Sequence, residues 1–424
     1  MQAGEIMCER SRIRANTWAR LGAAVALTIL PVSRAGTLPG PAGQKQMPGP
    51  DELPVIKELP NPFVMNNGKT VRSRKDWARR REEIREMLLY YQYGHMPPAP
   101  VNVRAEILSS ERIYDGAATK QHILLSMGPD RQIKVNVGMI IPKGKGPFPV
   151  ILKNDRKIFN VPIAEEIIKR GYIVADYLRT DLDPDKPGVV GPAQAAYPDY
   201  DWATLAVWAW GGMRVIDYLV TLDVVDEQKI VFTGHSRGGK TALLAGALDE
   251  RIALVAPNGS GCGGSGCYRI QGPRSERLDD ITKPSRFAYW FQPRFREFVG
   301  KEDRLPFDQH FLKALVAPRA LISIDALGDL WANPLGTQQS NRAAQPVFDF
   351  LGVPGRLALH FRQGGHAQNE EDWRALVDFA DKIFFGREPP AGRRFYQMPF
   401  RDAPKPFSWS APAAEQNAAG SAGQ

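Results

Sequence analysis

From about residue 100 onward, short apolar runs alternate with stretches of helical periodicity. The runs at 135–141, 149–152, 172–175, 229–232, 252–256, 320–324 and 357–361 are bounded by polar or turn-forming residues and predict β-strands. Between several of them, apolar positions recur at helical spacing over 163–170, 202–222 and 240–249. Strand–helix alternation of this kind predicts an α/β domain: a mostly parallel central sheet covered by helices on both faces, a three-layer αβα sandwich. The active site of such a sheet lies at the carboxyl ends of its strands. Upstream, residues 77–93 set Ile84, Leu88 and Leu89 among Arg79, Arg80, Arg81, Glu82, Glu83, Arg85 and Glu86. That pattern predicts an amphipathic helix with a charged, solvated face. No internal repeat is visible.

The two ends read differently. Arg10, Arg12, Arg14 and Arg20 precede an apolar run at 21–30, and the small residues Ser33 and Ala35 follow. This is the order of a secretory signal peptide, assigned to residues 1–35, and its apolar run is too short to span a bilayer comfortably. The expected location is therefore secreted or periplasmic, with no stable membrane association after cleavage. Residues 36–50 are rich in Gly and Pro and read as a flexible linker. Residues 387–424 read as a tail whose Ala/Gly/Gln/Ser-rich end does not fold, leaving 51–386 as one catalytic-size domain with an N-terminal extension.

Charge and cysteine count narrow the function classes. The chain of 424 residues has 55 Lys+Arg against 46 Asp+Glu, a net +9 that invites a nucleic-acid reading. The expected signal carries +3 of this, and acids interleave the arginines of 77–93, so no nucleic-acid partner is expected. Three cysteines exclude a disulfide-stapled scaffold, and no C-x-x-C pair or other metal-ligand cluster appears. Neither a metal nor another cofactor is expected. Cys262 and Cys267 remain after cleavage, and their spacing does not decide between a local bridge and two thiols.

The sharpest chemical signal is Gly234-His235-Ser236-Arg237-Gly238, set between the predicted strand at 229–232 and a helix starting near Lys240. G-x-S-x-G in a strand–turn–helix unit is the nucleophile elbow of α/β-hydrolases, and it makes Ser236 the candidate nucleophile. The glycines let strand and helix approach closely, and the helix N-terminus offers N–H groups to an oxyanion. In this fold the acid and then the histidine follow the serine in sequence. His366, after Gly364-Gly365 at the carboxyl end of a predicted strand, is the candidate base. His360 lies within that strand and His310 within Asp308-Gln309-His310, so both read as structural. Asp325 ends the strand at 320–324 and Asp329 follows in Gly328-Asp329-Leu330-Trp331; position alone favours neither as the acid.

Several further stretches resemble one family. Thr233-Gly-His-Ser-Arg-Gly-Gly-Lys240, Ala245-Gly-Ala-Leu-Asp-Glu-Arg251, Ser260-Gly-Cys-Gly-Gly264 and Tyr289-Trp290-Phe291 are similar to segments of the bacterial glucuronoyl esterases, which are serine esterases and α/β-hydrolases. Leu305-Pro-Phe-Asp-Gln-His310, Ala317-Pro-Arg319, Asp329-Leu-Trp331, Gly364-Gly-His366, Trp202 and Trp208-Ala-Trp-Gly211 continue the likeness, which spans roughly 52–386. The resemblance implies that Ser236 is the nucleophile, His366 the base and Arg237 an oxyanion contact. It also implies that Lys240, Glu276 and Trp331 bind the uronate. Many members carry the triad acid in a Glu-Ser-Gly-x-Gly-Gly stretch, where this chain has Gly259; others place it where Asp329 stands, so the resemblance selects Asp329 over Asp325. The implied substrate is a carbohydrate ester of (4-O-methyl)glucuronic acid, as in lignin–glucuronoxylan cross-links. Two alternatives are another carbohydrate esterase, acetyl or feruloyl, and a non-catalytic carbohydrate-binding relative with a degenerate site.

Overall fold

The computed structural model describes residues 46–413. The expected signal peptide, linker residues 36–45 and the end of the tail from 414 lie outside the described residues.

One nine-stranded sheet organises the described chain. Its strands are β1 (Arg104–Ile113), β2 (Ala118–Met127), β3 (Ile133–Pro142), β4 (Phe148–Asp155), β5 (Ile173–Leu178), β6 (Val225–His235), β7 (Ile252–Asn258), β8 (Ala320–Ala326) and β9 (Leu357–Arg362). They lie in the order β1-β2-β3-β5-β4-β6-β7-β8-β9. Pairing is antiparallel from β1 to β5 across β2 and β3, and parallel from β5 through β4 to β9. All seven predicted strands are present, so the sheet is mostly parallel, as the alternation predicts. The helices are α1 (Arg74–Leu88), α2 (Ala164–Lys169), α3 (Pro192–Ala196), α4 (Thr204–Leu219), α5 (Arg237–Leu248), α6 (Leu278–Thr282), α7 (Gln309–Val316), α8 (Pro334–Phe350) and α9 (Glu370–Phe385).

The layers follow from the period of two along each strand. Val150, Leu152, Ile230 and Phe232 enter one core with α1, α4, α5 and α7. Ile151 and Val231, one position out of step, enter a second core with α2 and α9. Strands apolar on both faces are what a sheet sandwiched by helices requires. Among the described residues, no helix is long and apolar enough to cross a membrane.

At both ends the described chain packs against the body. Residues 46–50 lie against the body, where Tyr91 Oη donates to Pro48 O at 2.8 Å. The tail is packed as far as residue 413: Phe395 and Phe407 are buried, and Leu359 of β9 exchanges hydrogen bonds with Phe395 O and Gln397 N. Those bonds cover the otherwise open edge of β9. The charged helix α1 differs from a purely solvated face. Arg80 is buried, donating from Nε to Pro62 O and from Nη1 to Asn66 Oδ1 and Glu83.

Candidate active site

The elbow joins β6 to α5, and Ser236 takes φ 57° and ψ −121° there. A positive φ in a non-glycine residue is strained, and the surrounding contacts hold it in place. Ser236 N donates to Asn258 O at 2.8 Å, and Asn154 Nδ2 bridges Thr233 O and Gly238 O on either side of the serine. The two motif glycines are required by that close approach. A Cβ on Gly234 would stand 2.3 Å from Gly238 O, and one on Gly238 would stand 2.8 Å from Asn154 Oδ1.

Strand register brings the partners to the same edge. β8 and β9 pair in parallel through Ala326 and Arg362, so the loops that follow them emerge side by side. Leu327 N donates to Arg362 O and Gly328 N to Gly364 O. A Cβ on Gly328 would lie 2.5 Å from Gly364 O, so the two loops interlock only with glycine at 328. Across this seam His366 Nδ1 donates to Asp329 Oδ2 at 2.6 Å. Asp329 is buried and its Oδ1 accepts from Ala332 N, whereas the His366 side chain remains 40% exposed. Asp325, buried beneath on β8, has no hydrogen bond or ion pair to His366 among the described residues, and burial holds its carboxyl well above the usual range. Of the two candidate acids, Asp329 is the one bonded to His366.

Ser236 and His366 line a single cavity of 360 Å³ with Arg237. No Ser236–His366 hydrogen bond forms among the described residues, and nucleophile–base bonds often shorten only once substrate is bound. His235, the variable residue of the elbow, was not singled out by sequence reasoning. Its ring lies 4.5 Å from that of His366, and its Nδ1 donates to Asn258 Oδ1 at 2.6 Å because β6 and β7 pair these two residues. Burial, aided by His366, pushes His235 down to about 4, so a neutral imidazole flanks the His366 ring. Gly259 sits at φ +51°, and a Cβ there would stand 3.6 Å from Asp329 Oδ2. Position 259 thus adjoins the Asp329 carboxylate, which comes from the loop after β8.

Arg237 leans away from the helix onto the faces of Trp290 and Phe287, with its guanidinium 4.6 and 5.3 Å from their centroids. Its Nη1 donates to Asp185 Oδ2 at 2.7 Å. Asp185 also accepts from Tyr289 Oη and Trp290 Nε1. Burial alone would raise the Asp185 carboxyl, but Arg237 and these donors hold it below the usual range. Asp185 carries no sequence signal, being 51 residues from the elbow in a loop without a motif.

The expected uronate-binding residues cluster with one another, outside the lining of the cavity. Lys240 is buried and its Nζ donates to Ser260 O, Cys262 O and Glu276 Oε2 at 2.6, 2.6 and 2.7 Å, which takes all three protons. Burial raises the Glu276 carboxyl against the pull of Lys240. Glu276 N donates to Trp331 O, and Trp331 itself is 38% exposed, with Arg286 5.4 Å over its ring. Cys262 and Cys267 are free, buried thiols. His310 and His360 are buried and bonded to Pro60 O and Arg394 O, as structural histidines. Among the described residues no group of three or more His, Cys, Asp or Glu could hold a metal ion.

One buried ion pair shapes the His366 loop. Arg362 Nε meets Asp372 Oδ1 at 2.8 Å, while Nη1 donates to Gln363 O and Nη2 to Gly365 O and Ala367 O. The carbonyls on both sides of His366 are thereby anchored to the first turn of α9. Arg362→Met strands the Asp372 charge and is expected to cost about 3–5 kcal/mol of stability, read from urea unfolding midpoints. An unchanged midpoint would show the pair to be dispensable.

Comparisons with known proteins agree with this geometry. A family model described as glucuronyl esterase, fungi, matches residues 127–352. A carbohydrate esterase of an unknown prokaryotic organism is 31% identical over 79% of this chain and 92% of that protein. A 4-O-methyl-glucuronoyl methylesterase of Podospora anserina is 32% identical over 71% of this chain, which spans 62% of that protein. The solved structure of a carbohydrate esterase family 15 glucuronoyl esterase from Caldicellulosiruptor kristjansonii superposes with a TM-score of 0.72 at 29% identity, covering 85% of this chain and 98% of that one. An α/β-hydrolase sheet, a serine elbow and these matches together establish that the chain is a carboxylic ester hydrolase belonging to the glucuronoyl esterases of carbohydrate esterase family 15.

Proposed function

We propose that this enzyme hydrolyses esters of glucuronic acid and its 4-O-methyl ether, as in lignin–glucuronoxylan cross-links, by a Ser236–His366–Asp329 acyl-enzyme mechanism. The observation that carries the mechanism is the 2.6 Å bond from buried Asp329 to Nδ1 of His366, whose ring lines the same cavity as Ser236. Asp329 holds the imidazole with Nε2 free to accept a proton. Ser236 Oγ attacks the ester carbonyl as His366 takes its proton, and Arg237 with the N–H groups of the α5 N-terminus faces the tetrahedral oxygen. Collapse expels the alcohol, which takes the proton from His366. Water, deprotonated by His366, then attacks the acyl-enzyme and frees Ser236.

The reading of the substrate rests on the Podospora anserina relative's name and on Trp331, whose exposed face suits the apolar side of a sugar ring. Glu276 N holds the Trp331 carbonyl, and the Glu276 side chain is held in turn by Lys240. For Lys240 to reach a sugar hydroxyl, one of its three internal hydrogen bonds has to be exchanged. Export through the signal at residues 1–35 places the enzyme with its polymer substrate, outside the cell or in the periplasm.

The wild-type enzyme is expected to turn over benzyl glucuronate faster than a matched benzyl acetate, measured as kcat/KM at neutral pH. Preference for the acetate would assign the enzyme to another carbohydrate ester. Absence of turnover on both would point to a binding protein with a decayed site.

A further inference from the structure

Cations crowd the cavity at Ser236. Lys153, Arg156, Arg179 and Arg237 line it together with one acid, Asp155. Their pairing is uneven. Lys153 Nζ is bound by Asp155 Oδ2 at 2.7 Å, and Arg237 is bound by Asp185 at the same distance. Arg156 and Arg179 have no ion-pair partner among the described residues, and Arg156 is exposed, so water solvates its charge. Among the described residues the one hydrogen bond of Arg179 runs from Nη1 to Asn154 O at 3.4 Å, and its buried Nε has no acceptor.

Arg179 is nevertheless only 5% exposed. It follows directly on β5, at the carboxyl edge of the sheet, with its guanidinium 4.9 Å from the centroid of Trp208. Asn154 ties it to the elbow, since the carbonyl that holds Arg179 belongs to the residue whose side chain bridges Thr233 and Gly238. Burial pulls its pKa down, and the fields of Asp155 and Asp185 oppose that pull although both carboxylates are engaged elsewhere. A cation buried without a counter-ion is unfavourable, and in a catalytic cleft such a group marks a place where the ligand brings the charge.

Ester hydrolysis supplies that charge at defined moments. The ester enters neutral. Negative charge forms on the carbonyl oxygen after Ser236 attacks, forms again when water attacks the acyl-enzyme, and stays on the product carboxylate once the acid ionises to solvent. Arg237 is already balanced by Asp185 when the charge arrives. We propose that Arg179 is the buried, unbalanced cation that receives it, contacting the oxyanion in both tetrahedral intermediates and then the carboxylate of the released uronic acid. This inference rests on the glucuronoyl ester reading for the identity of the acid, and it adds a contact which that reading does not contain.

The test uses the full-length enzyme and its Arg179→Met and Arg179→Lys variants, with benzyl glucuronate as substrate. Loss of an oxyanion donor lowers kcat by about 10²–10³-fold, so Arg179→Met is expected to fall by that amount with KM for the neutral ester little changed. Its inhibition by glucuronate is expected to weaken, while binding of the neutral glucuronamide, measured by calorimetry, stays at the wild-type level and reports an intact site. Arg179→Lys, which keeps a charge in the same place, is expected to recover part of both losses. Wild-type kcat together with wild-type inhibition by glucuronate in Arg179→Met would overturn the proposal. So would equal weakening towards glucuronate and glucuronamide, because a charge-specific contact cannot produce it. Inactivity of the wild-type enzyme on benzyl glucuronate would overturn the substrate reading instead. The calorimetric contrast between acid and amide would then still decide the role of Arg179.

Discussion

Exchange of Ser236 for alanine is expected to abolish hydrolysis of benzyl glucuronate, with kcat falling by about 10⁶-fold if the three residues act as a unit. The substitution removes one oxygen and leaves the elbow unaltered. Ser236 N still reaches Asn258 O, and Asn154 still bridges the flanking turns. Stability should therefore change little, and substrate binding should survive, which separates loss of the nucleophile from loss of the site. The size of the fall follows from the absence of a replacement. The other side chains lining the cavity are amides, cations, imidazoles and Asp155, which is already bound to Lys153. Neither Arg237 nor the α5 N-terminus can form an acyl intermediate. What remains is charge stabilisation and binding, which elsewhere sustain about 10³–10⁴-fold over water. Turnover near the wild-type rate in Ser236→Ala would remove the nucleophile assignment, and the mechanism with it.

How much of this was legible in the sequence depended on how each segment meets its surroundings. The seven predicted strands are legible because they sit between two helical layers and are apolar on both faces. β1 is not, because it is an edge strand exposed along nearly its whole length and its composition is that of a loop. α8 is hidden for the opposite reason. It buries Gln338, Gln339 and Asn341, whose amides bond Phe400 O, Pro404 O and Ala358 O, so its inward face lacks an apolar period. The packing of residues 387–413 is hard to read because its anchors, Phe395, Phe407 and Trp409, are few and widely spaced among Gly, Pro and Arg.

The same logic governs the site. Ser236 and His366 announce themselves because elbow glycines and a Gly-Gly-His turn are local requirements of backbone geometry. Asp185 and Arg179 do not, because their roles arise from long-range neighbours: Arg237 is 52 residues from Asp185, and Trp208 lies in a different element from Arg179. The family resemblance implies a sugar contact for Lys240. Its burial comes from the glycine-rich loop after β7, which turns two carbonyls inward and needs a donor for them.

Asp329→Asn and Asp325→Asn, assayed side by side, are expected to diverge by several orders of magnitude although Asp325 lies on β8 and Asp329 in the loop directly after it. An asparagine at 329 can present its N–H₂ to His366 and so favour the wrong tautomer, the change that costs about 10⁴-fold in kcat where it has been measured in serine triads. Glycine at 259 makes the loss fall on Asp329 undiluted, since that position offers no second carboxylate to the base. Asp325 stands apart from the chemistry, and its effect belongs to stability. Burial raises its pKa, so the folded state holds a proton that the unfolded chain releases, and stability falls as pH rises from the unfolded towards the folded value. Asp325→Asn removes that proton. It should leave kcat close to wild type while flattening the decline of the urea midpoint with pH across this interval. Equal losses of kcat in the two variants would leave the acid unassigned. A larger loss in Asp325→Asn would reverse the assignment, since the 2.6 Å bond between His366 and Asp329 would then be a contact without catalytic consequence.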